Sequence, residues 1–376
     1  MSLYLDYNAT TPIDDRVLEE MNNIYKTFFG NAGSRTHSFG QDAYKIVEKS
    51  REKIATLLSI SKNEVIFTSG ATESNNIAIL GLAKWGEENN KTHIISTNME
   101  HKSILEPLEQ LEKKGFDIDL ISENYNGRID QKQIENKIRP ETLMVSIAHA
   151  NNETGVIQPV FEIGESLKDL DVYFHIDAAQ TYGKLVNDLK KTSYDLLSIS
   201  GHKIYAPQGI GALILRRKNF KRPPVKPITF GGEQEKGIRP GTLPVALIAG
   251  LGKVSELATK ENPKWIEDLQ TTKEYILKQL EQVKFEINGD IDFTLPNTLN
   301  ISFPGVDSEA LMLALHNEIG VSNGSACTSH SFKPSHVLQA MNLPEERINS
   351  SIRISWGPET KEPSLEPLIN SLNLIK

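Results

Sequence analysis

The run Val172-Tyr173-Phe174-His175-Ile176-Asp177-Ala178-Ala179-Gln180 is a short apolar stretch that ends in a carboxylate. It is followed by Leu196-Leu197-Ser198-Ile199-Ser200-Gly201-His202-Lys203, a second apolar stretch that ends in a lysine. Working outward, short apolar runs recur at Val65–Thr68, His93–Ser96, Ile118–Ile121, Leu143–Ala148 and Ile210–Leu215, which together with Val172–Ile176 and Leu196–Ile199 makes seven expected strands. Between and before them, apolar residues repeat at three- and four-residue intervals over Arg16–Phe28, Asp42–Leu58, Ser74–Leu82, Ile104–Lys114, Gln131–Lys137 and Val160–Leu170. Strands alternating with amphipathic helices predict an α/β fold whose largely parallel sheet is covered on both faces.

Beyond the last strand, Arg216–Pro227 is rich in proline and positive charge and reads as an exposed connection. A helical stretch runs from Pro244 to Leu280, and Pro263 is expected to break it. Strand-like Thr298–Phe303 and Ser351–Ser355, with helical Ser308–Ile319 between them, suggest a smaller α+β domain. The expected division is a large domain over 15–260 and a small one built from 1–14 and 261–376.

At 376 residues, 38% of them hydrophobic, the chain can bury a sizeable core. Lys and Arg total 41 against 49 Asp and Glu, and the resulting net charge of −8 gives no broad field for nucleic acid or an anionic membrane. No apolar stretch reaches the ~20 residues a membrane span needs, and the opening residues lack the pattern of a secretory signal. A cytoplasmic location is expected. The single cysteine, Cys327, cannot form an intrachain disulfide and leaves one thiol free for chemistry.

Open α/β sheets bind ligands beyond the carboxyl ends of their strands, and the suggestive residues cluster there. After Val65–Thr68 comes Ser69-Gly70-Ala71-Thr72-Glu73, a helix start suited to a phosphate, or equally an ordinary capping box. After His93–Ser96 comes Glu100-His101-Lys102-Ser103, whose imidazole could stack on a planar ring and move protons, or simply cap a helix. Asn151-Asn152-Glu153-Thr154-Gly155 is a turn by composition and could also touch a substrate. A buried Asp177 needs a partner, and a protonated pyridine nitrogen is one; Lys203 offers the amine that an aldehyde cofactor requires. Together they point to pyridoxal 5'-phosphate. Nucleotide motifs are absent: no Gly-Lys-Ser/Thr follows Gly70, and Gly209-Ile210-Gly211 meets Ile214 where a third glycine belongs.

With these residues in place, the chain resembles the cysteine desulfurases of the nitrogen-fixation and iron–sulfur-assembly type, in the class V aminotransferase family. The resemblance runs from Tyr4-Leu5-Asp6-Tyr7-Asn8-Ala9-Thr10-Thr11-Pro12 through Arg239-Pro240-Gly241-Thr242-Leu243-Pro244 to Ser351-Ile352-Arg353. It implies the aspartate-aminotransferase-like fold (fold type I) of PLP-dependent transferases. It further implies that Lys203 attaches the cofactor, Asp177 holds the ring nitrogen, Gln180 meets the phenolic oxygen and His101 stacks on the ring. The phosphate would fall to Ala71, Thr72, Ser200 and His202, joined by Thr242 from the second subunit of a homodimer. Asn152 and Arg353 would hold the carboxylate of the substrate, L-cysteine, since a guanidinium fork matches a carboxylate.

Cys327 lies in Gly324-Ser325-Ala326-Cys327-Thr328-Ser329, small polar residues that argue against burial. The resemblance makes it the thiolate that takes the substrate sulfur as a persulfide for an acceptor protein, leaving L-alanine. His330 departs from the small residue of relatives, and a solvent-facing loop position is its ordinary reading. Cys327, His330 and His336 lack the further ligands of a metal site, so no metal is expected. The alternatives are a selenocysteine lyase, a small-amino-acid aminotransferase that has no use for Cys327, or an inactive scaffold in a sulfur-transfer complex.

Overall fold

The computed structural model describes residues 2–122, 124–218, 220–323 and 334–375. Cys327 and His330 lie outside the described residues. The chain begins with β1 (Leu3–Tyr4), α1 (Asp15–Thr27) and α2 (Ser38–Leu58). Strands and helices then alternate: β2 (Val65–Thr68), α3 (Ala71–Glu88), β3 (His93–Thr97), α4 (Lys102–Glu112), β4 (Asp117–Ile121) and α5 (Gln131–Glu135). The alternation continues with β5 (Thr142–Ala148), α6 (Val160–Leu167), β6 (Tyr173–Asp177), α7 (Val186–Lys191) and β7 (Leu196–Ser200), closing with β8 (Gly211–Leu215).

All seven predicted strands join one sheet, in the order β2-β8-β7-β6-β5-β3-β4. Among the described residues of this sheet, β8 runs against the direction of the other six strands. Strands β6, β7 and β8 are buried almost throughout, as expected of strands covered on both faces. The edge strand β4 is partly exposed and carries Asp117 and Asp119, charges that discourage a further strand from pairing there. Because β3, β5, β6 and β7 are parallel, the residues that follow them emerge along the same edge of the sheet.

Past this sheet, α8 (Val245–Leu280) is a single helix with Pro263 inside it, so the expected break does not occur. An interior proline removes one hydrogen bond and costs about 3 kcal/mol. Here the helix is held on both sides of Pro263. Ile248, Leu251, Val254 and Trp265 belong to the large core, while Leu269, Ile276 and Leu280 belong to a second one. That second core also takes Leu5, Leu299, Ile354 and Trp356. Around it lie β9 (Glu286–Ile287), β10 (Thr298–Ser302), α9 (Ser308–Leu315), β11 (Ile319–Gly320), β12 (Ser351–Ser355) and α12 (Glu366–Ile375), while α10 (His336–Ala340) and α11 (Glu345–Asn349) form a separate small cluster with Met99. The helix predicted to run from Ser308 to Ile319 stops at Leu315, because Ile319 pairs in parallel with Leu3 of β1 instead. Among the described residues, no helix is long and apolar enough to cross a membrane.

Candidate active site

The carboxyl edge of the sheet collects nearly every residue singled out in the sequence. Asp177 closes β6 and is buried; its Oδ1 accepts from the Ala179 amide at 2.9 Å and its Oδ2 from Asn75 Nδ2 at 2.8 Å. Lys203 follows β7 on a short 3₁₀ turn, and its Nζ donates to the main-chain carbonyls of Asn8 at 2.5 Å and Ala9 at 2.7 Å. The segment after β1 therefore crosses to the lysine. His202 bonds Thr10 Oγ1 at 3.2 Å; burial, and then the neighbouring Lys203 charge, push its pKa down to about 4.

Helix α3 starts at Ala71, and no side chain caps it at Gly70, so the capping-box reading of Ser69 and Thr72 does not hold. An uncapped first turn leaves backbone N–H donors at the positive end of the helix dipole. Ser200 closes β7 close by, since a Cβ built on Gly70 would lie 3.7 Å from Ser200 Oγ. Gly211 permits this approach: a Cβ there would sit 2.6 Å from the Gly70 Cα.

His101 precedes α4, and its Nδ1 accepts from the Ser103 amide at 3.1 Å. Burial is the largest influence on its pKa and lowers it; Asp177 pulls the other way and Lys203 adds to the lowering. Gln180 donates from Nε2 to the Asn8 carbonyl at 3.0 Å, while its buried Oε1 has no partner among the described residues. Asn152 sits in the turn after β5, where Asn151 Oδ1 accepts from the amides of Glu153 and Thr154. The turn expected from the composition of this segment is therefore present.

Arg353 on β12 joins the smaller sheet to the site. Its Nη1 donates to the Asn152 carbonyl at 2.9 Å, its Nη2 meets Asp6 Oδ1 at 2.5 Å, and its buried Nε has no partner among the described residues. Thr242 is exposed. On the same segment, Arg239 Nε donates to Glu73 Oε1 at 2.9 Å. His336 Nε2 bonds the Glu100 carbonyl at 3.1 Å, so it is engaged in structure. Among the described residues, no group of three or more metal-ligating side chains occurs.

Sequence reading missed Asp6, Asn8, Asn75 and Ser103, which hold the residues it named. It also missed Glu153, whose carboxyl accepts from Ser335 Oγ at 2.5 Å and is pushed up in pKa by burial. The signal was there in Tyr4–Pro12 and Thr68–Asn76, polar runs beside apolar strands, but nothing in one dimension pairs them.

A doubly covered sheet with a lysine, a carboxylate, an imidazole and an uncapped helix start along one edge is the architecture of the PLP-dependent transferases. A model of the family described as aminotransferase class-V matches residues 3–368. The cysteine desulfurase IscS of Rickettsia africae (strain ESF-5) is 44% identical over 372 residues, which cover 98% of this chain and 90% of that one. A solved NifS-like protein is 35% identical with a TM-score of 0.90, covering 100% of this chain and 98% of its own. The structure of SspA in complex with cysteine is 37% identical with a TM-score of 0.82, over 96% of this chain and 100% of that one. The chain belongs to the class V aminotransferases and, within them, to the cysteine desulfurase family.

Proposed function

We propose that this protein is a cysteine desulfurase that converts L-cysteine to L-alanine and passes the sulfur, held as a persulfide on Cys327, to an acceptor protein. The observation that carries this reading is the convergence of Asp177, His101 and Lys203 beside the uncapped start of α3. The residues fit pyridoxal 5'-phosphate: a buried carboxylate for its ring nitrogen, free helix amides for its phosphate, and the orphaned Gln180 Oε1 for a polar ring substituent. When bound, that cofactor withdraws electrons from the substrate Cα and so weakens the bonds to its β-sulfur.

The protein's own residues do the rest. Lys203 would anchor the cofactor through its Nζ amine. Asp177 keeps the ring nitrogen protonated. Ala71, Thr72, Ser200 and His202 hold the phosphate, with Thr242 of a second subunit of a homodimer. Asn152 and Arg353 hold the substrate carboxylate, and the complex of the related SspA with cysteine supports that choice of substrate. His101 moves a proton, and the Cys327 thiolate attacks the substrate sulfur: the substrate Cβ–S bond breaks as the S–S bond forms, and the electron pair left on the carbon skeleton takes up a proton to give alanine. We assign the large domain to 15–260, the small one to 1–14 and 261–376, and the site of action to the cytoplasm. Iron–sulfur assembly, tRNA thiolation and DNA phosphorothioation are the destinations such sulfur serves.

The test is a stoichiometry. Purified protein given L-cysteine and a thiol reductant should release alanine and sulfide in equal amounts. Cys327→Ser should keep the cofactor absorbance and its response to cysteine, yet form no persulfide and release no sulfide. Sulfide release by Cys327→Ser at the parental rate would remove Cys327 from its role, and alanine formation without sulfide would favour a different reaction.

A further inference from the structure

We propose that Asn75 and Ser103 are positioning residues that lock His101 in the tautomer carrying its proton on Nε2 and tie that ring to the carboxylate of Asp177. The proposal rests on the reading of His101 as the proton carrier in desulfuration.

The geometry is a chain of four side chains. Asn75 Nδ2 donates to Asp177 Oδ2 at 2.8 Å and to Ser103 Oγ at 2.9 Å. An amide nitrogen has two hydrogens, so both bonds exist at once. Ser103 Oγ, having accepted from Asn75, turns its own hydrogen to His101 Nδ1 at 2.8 Å. The Ser103 amide reaches the same nitrogen at 3.1 Å. Two donors aimed at one ring nitrogen leave no place for a proton on it. The neutral ring must then carry its hydrogen on Nε2.

The surroundings make this arrangement stiff. Asn75 and Ser103 are buried, each on the first turns of a helix that leaves the sheet at the site. Breaking any link would strand a buried donor or acceptor. The charged and titratable groups that face His101 are Asp177, Lys203, His336 and Lys102. Burial dominates their sum and keeps the ring below its ordinary pKa, hence neutral at neutral pH. Nε2 has no hydrogen-bond partner among the described residues, so it is the one ring nitrogen left to exchange a proton with a substrate.

The tautomer can be read without turnover. Protein labelled with ¹⁵N-histidine, with and without cofactor, should show for His101 a neutral ring protonated on Nε2 at pH 7, the signal being assigned by its loss in His101→Gln. Ser103→Ala removes one of the two donors to Nδ1. It should mix the tautomers and move the acid limb of kcat upward by about half to one pH unit, the size of one net hydrogen bond. It should also lower kcat about tenfold with KM within about twofold, the mark of a lost transition-state interaction. Ser103→Thr should restore the parental profile, and Asn75→Ala should behave like Ser103→Ala. Retained cofactor absorbance shows that each variant is folded. A parental ring protonated on Nδ1, or a Ser103→Ala protein with unchanged tautomer and acid limb, overturns the proposal. Because the tautomer is read without reaction, that failure is distinct from failure of the protein to desulfurate cysteine.

Discussion

Arg353 divides its guanidinium between Asp6 and the Asn152 carbonyl, and its buried Nε has no partner among the described residues. Burying a charge without pairing is costly, so Asp6 belongs with the site as the group that lets the cation wait there. A lysine has a compact charge and no fork, so it cannot hold Asp6 and a substrate carboxylate together. Arg353→Lys is expected to raise KM for cysteine by about tenfold or more while kcat falls much less, as steady-state kinetics would show. An unchanged KM would remove Arg353 from substrate binding. At this scale the named residues were legible because their chemistry is distinctive. Their holders were not, since Asp6, Asn75 and Ser103 are common polar residues whose meaning is their partner.

At the scale of elements, the central strands hide a polar cross-link. His175 on β6 bonds Ser146 Oγ of β5 and Ser198 Oγ of β7, each at 2.9 Å, and is fully buried. Burial pushes its pKa down to about 4, and that of buried His149 to about 3. In the unfolded chain both titrate near 6.5. As pH falls below that value the unfolded state binds protons that the folded state refuses, so stability is full above about 6.5 and drains between 6.5 and about 4 for His175, and on to about 3 for His149. Thermal unfolding followed from pH 8 to 4 should show the midpoint dropping over that window. His175→Asn should be less stable than the parent at pH 8 but fall less steeply. A slope unchanged by the substitution would mean that His175 titrates normally. The strands themselves were readable from short apolar runs, whereas the continuity of α8 through Pro263 was not, because two cores meeting the helix outweigh a local rule.

For the whole molecule, the exposure of Thr242 sets the question of assembly. If each site borrows Thr242 from a neighbour, Thr242→Ala should weaken cofactor affinity roughly tenfold to a hundredfold, the loss of one hydroxyl bond to a charged group. Mixing Lys203→Ala with Thr242→Ala protein and allowing exchange puts both lesions in one site of the heterodimer and leaves the other intact. Cofactor titration should then recover a class of sites with parental affinity; a monomeric active protein, or no such class, would refute a shared site. By itself the sequence determined the strand and helix alternation, the seven-stranded sheet and the residues with unmistakable chemistry, because periodicity and reactive groups are local properties of the chain. Only the tertiary structure decided that Asn8 and Ala9 hold Lys203, that Asp6 faces Arg353, and that Asn75 and Ser103 join Asp177 to His101. Those pairings bring together residues far apart in sequence, and a buried hydrogen bond is specified by where two strands end in space.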